Sequence, residues 1–280
     1  MLSQSSIGAL ALAAALCLTM ADARAFDDAI YPNLKGQWNR NGPPRWDTTK
    51  PAGPGQQAPL TPEYQSIFEA GQADVASGGH GTDPTYVCLS PGMPRIMNVY
   101  WPMEVVVLPE TTYIMIEHIH DNRRIYTDGR DWPEGVDPSF AGYSIGRWID
   151  ENRVGRYNVL AVETRHFKGP RTFDTSGLPL HKDNQTIVKE RIHLDQADSN
   201  ILVDEITTID HALTHPWTVT KKFYRSRDPR PVWLEEVCAE NNGHIVIGKE
   251  DYFLSAEGHV MPSKKDQPPP DLRYFGPARK

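Results

Sequence analysis

The chain has 280 residues, 39% of them hydrophobic and 23% charged, and its 29 Lys+Arg against 36 Asp+Glu leave a net charge of -7. That is enough chain and enough apolar content to bury a core in one large domain or two small ones, which excludes a disordered or collagen-like protein. The acidic balance, without any block of Lys and Arg, argues against a nucleic-acid groove or an anionic membrane surface, since phosphate recognition needs a concentrated positive stripe. A small molecule is the expected partner.

Residues 1–25 read as an export signal. Ile7 to Met20 is an apolar run too short to span a bilayer, and small-residue cleavage patterns follow at Ala21-Asp22-Ala23 and Ala23-Arg24-Ala25. The preceding Met1 to Ser6 carries no Lys or Arg, and Leu16 is too large for a lipoprotein signal at Cys17. The expected product is periplasmic or secreted, with no integral membrane segment once the signal is removed.

Cleavage leaves Cys88 and Cys238. An even pair in an oxidising compartment predicts a disulfide, which in the chain-entropy model stabilises by roughly 4 to 5 kcal/mol for so long a loop. No further Cys or His stands at ligand spacing from either, so the pair does not read as a metal site.

Residues 26–100 read as an irregular N-terminal extension packed on the domain that follows, broken by Gly42-Pro43-Pro44 and Pro51-Ala52-Gly53-Pro54-Gly55. One helix is expected there: Thr61 caps it, Pro62 suits its first position, and Tyr64, Ile67 and Phe68 share a face. Residues 101–255 carry β-runs near 104–108, 112–118, 123–127, 144–149, 159–167, 186–194, 201–210, 217–224, 232–238 and 244–247. Pro109-Glu110, Asp128-Gly129, Val154-Gly155, Asp198-Ser199-Asn200 and Asn242-Gly243 supply chain reversals. Hairpins in succession imply an antiparallel meander of eight to ten strands. Closure into a barrel removes its edges, and a two-sheet sandwich is the alternative. Residues 256–280, with Pro268-Pro269-Pro270, form a C-terminal tail.

Period-two alternation places Glu117 in register with Tyr113, Met115 and Ile119, and Glu190 in register with Val188, Ile192 and Leu194. An acid facing the interior demands a partner, which Arg124, Tyr126 and Asp128 on the neighbouring run could supply. The densest polar stretch, Glu117 to Arg130, holds two histidines, three acids and three arginines. It suits acid/base chemistry or the clamping of a carboxylate. His118 and His120 lie on one side of a strand and could hold a metal with a third ligand from His166, His193, His211 or His215. No H-E-x-x-H or C-x-x-C supports this, and no metal is expected.

Asp150 to Gly155 begins like a calcium loop but puts Val154 at a ligand position, which favours a turn. G-x-S-x-G, the P-loop and G-x-G-x-x-G are all absent, so no cofactor is expected.

The runs Gly92-Met93-Pro94-Arg95, Arg124 to Arg130, Gly142 to Trp148, Val162-Glu163-Thr164 and Pro216 to Thr220 together resemble a family of exported bacterial proteins with no established activity. The resemblance covers most of residues 85–250 and implies a lipocalin-like β-barrel; Gly36-Gln37-Trp38 is similar to the Gly-x-Trp that opens such barrels. The family brings no catalytic residues with it.

Two functions are compatible with this reading. The first is a cofactor-free acid/base enzyme, a lyase, isomerase or hydrolase of small organic molecules, aromatic ones included. Glu117 or His118 would be its base and Tyr126 its acid, Arg124 and Arg130 would stabilise an enolate or carboxylate, and His120, His166, Glu190 and Trp148 would contact the ligand. The second is a binding protein that encloses a small hydrophobic ligand unchanged.

Overall fold

A computed structural model describes residues 27–51, 58–98, 101–118, 122–238 and 243–270. The expected export signal, Cys17, His120 and the last ten residues of the tail lie outside them. Nine strands close into a barrel: β1 (Gln37–Asn41), β2 (Met103–Val107), β3 (Thr111–Ile116), β4 (Asn122–Tyr126), β5 (Tyr143–Ile149), β6 (Val159–Arg165), β7 (Ile187–Leu194), β8 (Ile201–Ile209) and β9 (Trp217–Arg225). The seam is sealed by β9 pairing with β1, from Trp38 opposite Arg225 to Asn41 opposite Lys222. Closure leaves neither edge of this sheet exposed.

The protein is thus mainly β, with a barrel as expected, and the expected helix is α1 (Pro62–Ala76). The Thr61 hydroxyl accepts the Tyr64 N–H as its cap, and Tyr64 and Phe68 are buried.

Three expectations need correction. The barrel is mixed rather than a pure meander, because β5 runs parallel to β4, with Ile125 opposite Ser144. The connection 127–142 has the dozen or more residues a parallel crossover requires, so Asp128-Gly129 begins a crossover instead of turning a hairpin. Residues 232–238 form no strand; β10 (His244–Ile247), β11 (Glu250–Leu254) and β12 (Val260–Pro262) make a separate three-stranded sheet. The barrel also begins inside the extension, at β1, whose Gln-Trp-Asn-Arg-Asn sequence carries little strand propensity and is held by its two neighbours.

The interior series on β3 is Thr112, Ile114 and Ile116, while Tyr113 and Met115 are only half-buried. Both alternating sets of Thr-Thr-Tyr-Ile-Met-Ile are largely apolar, so alternation alone leaves the facing open. Pairing decides it: Ile114 sits opposite both buried Val105 and buried Arg123. By the same register the inward residues of β4 are Arg123 and Ile125, not Arg124 and Tyr126. At Gly146, a Cβ would lie 2.6 Å from Ile125 Cγ2, so the approach of β5 to β4 requires glycine there.

Both barrel ends are covered. At one, residues 28–35 lay Tyr31 edge-on against Trp148, with ring centroids 5.3 Å apart, and Tyr157 N–H donates to Ile30 O at 2.8 Å. At the other, the extension packs Trp46 against Phe173 and Trp217, and Arg95 bridges Asp83 and Thr172. The disulfide joins Cys88 to Cys238, tying the extension to the segment before β10. No helix among the described residues is long and apolar enough to cross a membrane.

Candidate functional site

Four charged side chains stand on inward-facing positions of the barrel: Arg123 on β4, Glu190 on β7, Asp204 on β8 and Lys221 on β9, none more than 2% exposed. Strand periodicity puts them there, for each alternates with apolar neighbours that face the same way: Val188 and Ile192, Leu202 and Ile206, Val219 and Phe223. A lumen otherwise packed with hydrocarbon also holds charge, an arrangement that costs several kcal/mol per ion unless each is paired.

Arg123 brackets Glu190 through two parallel bonds, Nη1 to Oε1 at 2.8 Å and Nη2 to Oε2 at 2.5 Å. Such a bidentate pair fixes both groups in one plane. Asp204 is the neighbour of Glu190. Among the described residues neither of its oxygens meets a donor, and two carboxyls can join only through a shared proton. Burial first, and then the Glu190 charge, push the Asp204 carboxyl well above the usual carboxylate range, against the pull of Arg123 and Lys221. Asp204 is therefore the carboxyl of the pair that holds its proton more tightly than a carboxyl in water, and Glu190 is the member facing a guanidinium. Arg123 Nε and the Thr208 hydroxyl are also buried without a hydrogen-bond partner among the described residues.

Lys221 plays a different part. Its ammonium donates to Arg45 O at 2.8 Å, to Asn98 Oδ1 at 3.0 Å and to Trp46 O, so it fastens the extension to the barrel wall. Burial pulls its pKa down to about 7.

Of the residues singled out in the sequence, Glu190 and Trp148 face the lumen, and Trp148 Nε1–H donates to Thr112 Oγ1 at 3.3 Å. Arg124, Tyr126 and Arg130 do come together, but on the outer wall. Arg130 lies 3.7 Å from the Tyr126 ring centroid, Arg124 sits over Tyr113 and Tyr126, and Tyr126 stacks on Tyr143 at 4.9 Å. His166 extends this outer band through Trp132. Glu117 is buried just past the end of β3, and His118 stacks on Trp101 at 4.1 Å with its Nδ1 2.7 Å from Glu236 Oε2. The five residues proposed for catalysis thus divide between the end of β3 and the outer wall, because the register of β4 turns its arginines the other way from the one assumed. Arg123, Asp204 and Lys221 were missed, although alternation with Leu202, Ile206, Val219 and Phe223 carries the signal for the last two.

Several hollows adjoin the barrel, two of them beside the cap and along the outer wall. One, of about 870 Å³, lies beside the 28–35 cap and is walled by Tyr31, Leu34, Val105, Val107 and Tyr157, with Arg156 and the Lys35–Asp28 ion pair at its border. The other, an open groove of about 730 Å³, follows the outer faces of β5 to β9. Its Glu163, Arg165, Lys189, Arg191 and Glu205 neutralise one another in ion pairs. No model of a known protein family matches the chain, and no curated protein does.

Proposed function

We propose that the chain is an exported, cofactor-free acid/base enzyme of the lipocalin-like barrel type that the sequence resembles, acting as a lyase, isomerase or hydrolase on a small organic molecule. The observation that carries this reading is the buried Asp204 carboxyl, its pKa raised by burial and by the Glu190 charge, beside a Glu190 that is bracketed by Arg123. Adjacent carboxyls in unlike surroundings, one without a donor and one bracketed by a guanidinium, can place an acid and a base together. Asp204 would deliver its proton to the substrate, Glu190 would accept one, and Arg123 would balance the negative charge that develops. The catalytic roles thereby move from Glu117, His118, Tyr126, Arg124 and Arg130 to the lumen. Because the lumen is enclosed, substrate enters only when a cap is displaced, and the cap at 28–35 is the shorter of the two. A periplasmic or secreted location accords with the disulfide.

The test is a metabolite screen with purified protein that compares substrate loss with retention. Asp204→Asn and Glu190→Gln should each abolish turnover without unfolding the barrel. Turnover that survives both substitutions overturns the assignment.

The hollow beside the 28–35 cap supports a second reading, a binding protein. Its apolar and aromatic wall suits a small hydrophobic molecule, with Arg156 at the border and Lys35 already paired with Asp28. Ligands recovered unchanged, and lost on Tyr157→Ala, would favour it.

A further inference from the structure

Away from the barrel, three potential metal ligands converge at the seam between the small sheet and the segment that follows α1. His80 comes from that segment, His244 from β10 and Asp251 from β11. We propose that they bind a zinc-class divalent metal ion that clamps the β10–β12 sheet to the extension.

The ligand atoms lie within 4.8 Å of one another. His80 Nε2 and His244 Nδ1 each approach Asp251 Oδ2 at 2.8 Å. Ligands sharing an ion at about 2.0–2.2 Å stand roughly 3 Å apart, so the spacing is that of one coordination shell. The His244 contact is also a good hydrogen bond. The His80 contact is not: among the described residues neither ring nitrogen of His80 has a hydrogen-bond partner, and neither does Asp251 Oδ1, although all three atoms are buried. Close approach of nitrogen to carboxylate without a directed N–H is what lone pairs aimed at a common cation produce. The Asp251 side chain is only 5% exposed, and those of His80 and His244 are 17% and 16% exposed. An acid so enclosed between two imidazoles gains most from a cation that all three share.

The surroundings hold the ligands in place. Tyr86 stacks on His80 with centroids 5.0 Å apart, and Phe253 packs on His244 at 4.7 Å. Asp74 Oδ2 accepts the Gly81 N–H at 3.0 Å and so fixes the turn that presents His80. Two imidazoles and a carboxylate suit zinc and its neighbours rather than calcium or magnesium, which prefer all-oxygen sets. Three protein ligands leave a coordination position open to water or to a small anion. The Cys88–Cys238 bond crosses the same seam, so covalent and coordinate links would act in parallel. A second trio, His181, Asp183 and His211, is more exposed, and neither ring nitrogen of His181 nor of His211 is among the buried atoms left without a hydrogen-bond partner. It serves as the control.

The experiment uses purified protein with its disulfide intact, stripped by chelator and then titrated with Zn²⁺ against a chromogenic competitor, with bound metal counted by mass spectrometry. The expected result is one zinc per chain and a zinc-dependent rise in Tm. His80→Ala and His244→Ala should each weaken binding by more than the roughly 10–100-fold typical of losing an outer-shell partner, while His211→Ala leaves it unchanged. Should the alanine variants fold poorly, Co²⁺ added to the unaltered protein should give the visible absorption of a low-coordinate nitrogen and oxygen site and shift the imidazole resonances of His80 and His244. Absence of stoichiometric uptake at micromolar zinc, uptake that survives both histidine substitutions, or uptake lost with His211→Ala would each overturn the proposal.

Discussion

The guanidinium of Arg225 lies over the indole of Trp38, 4.2 Å from the ring centroid, across the seam where the last barrel strand meets the first. Arg225 also donates to Lys35 O, to Asn33 O at 2.8 Å and to Ser199 O at 3.3 Å, while Trp38 Nε1–H donates to Leu34 O at 3.0 Å. One pair of side chains therefore joins barrel closure to the cap at 28–35.

Removing the cation should loosen both. Arg225→Ala is expected to cost about 2–4 kcal/mol, from the cation–π contact together with its hydrogen bonds to backbone carbonyls. Arg225→Lys should recover less than half, since an ammonium cannot lie flat on the ring and reach those acceptors together. Urea unfolding gives the differences, and earlier proteolysis in the 28–35 segment reports the cap.

The lumenal pair obeys a different logic. Arg123→Met leaves the Glu190 carboxylate buried without its partner and should cost about 3–5 kcal/mol. The double variant Arg123→Met with Glu190→Leu removes both charges and should regain most of that loss. If the double variant is no more stable than the single one, the two residues are not a balanced pair. Activity should be absent from both.

Two lumenal groups give stability opposite slopes with pH. The folded-state value of Asp204 is raised, so the stabilisation from its proton is complete below 3.8 and is lost as pH rises toward that folded value. Lys221 is lowered to about 7 from 10.5, so the unfolded chain holds the extra proton between those values and stability rises with pH across that window. Asp204→Asn should flatten the acid-side decline, and Lys221→Met should flatten the alkaline-side rise. Tm measured against pH distinguishes the two.

The Cys88–Cys238 bond spans 150 residues and encloses most of the barrel. In the chain-entropy model, Cys88→Ser with Cys238→Ser should cost up to about 5 kcal/mol, and the seam beside β10 should exchange amide hydrogens fastest. Equal urea midpoints for oxidised and serine forms would show that the denatured chain gains nothing from the link.

Much of the strand pattern can be read in the residues because period-two alternation is a local property. Val188-Lys189-Glu190-Arg191-Ile192 and Trp217 to Phe223 announce both their conformation and their inner face. Thr111 to Ile116 announces only its conformation. Both its faces are apolar enough to be buried, so facing depended on the pairing of Ile114 with Val105 and Arg123. That one ambiguity moved the expected chemistry from the lumen to the outer wall. The β4–β5 crossover and the strand made from Gln37–Asn41 were equally beyond local pattern, since each exists only through its neighbours.

Local pattern specified a β-rich protein with one capped helix and a cysteine pair suited to a disulfide, because alternation, capping and residue type act over a few neighbouring positions. Tertiary structure alone decided which charges meet. Arg123 reaches Glu190 across 67 positions of sequence, and His80 reaches Asp251 across a seam no local spacing predicts. The physical reason is that register, closure and docking set distances between residues far apart in the chain, and the free energy that selects them belongs to the assembled whole.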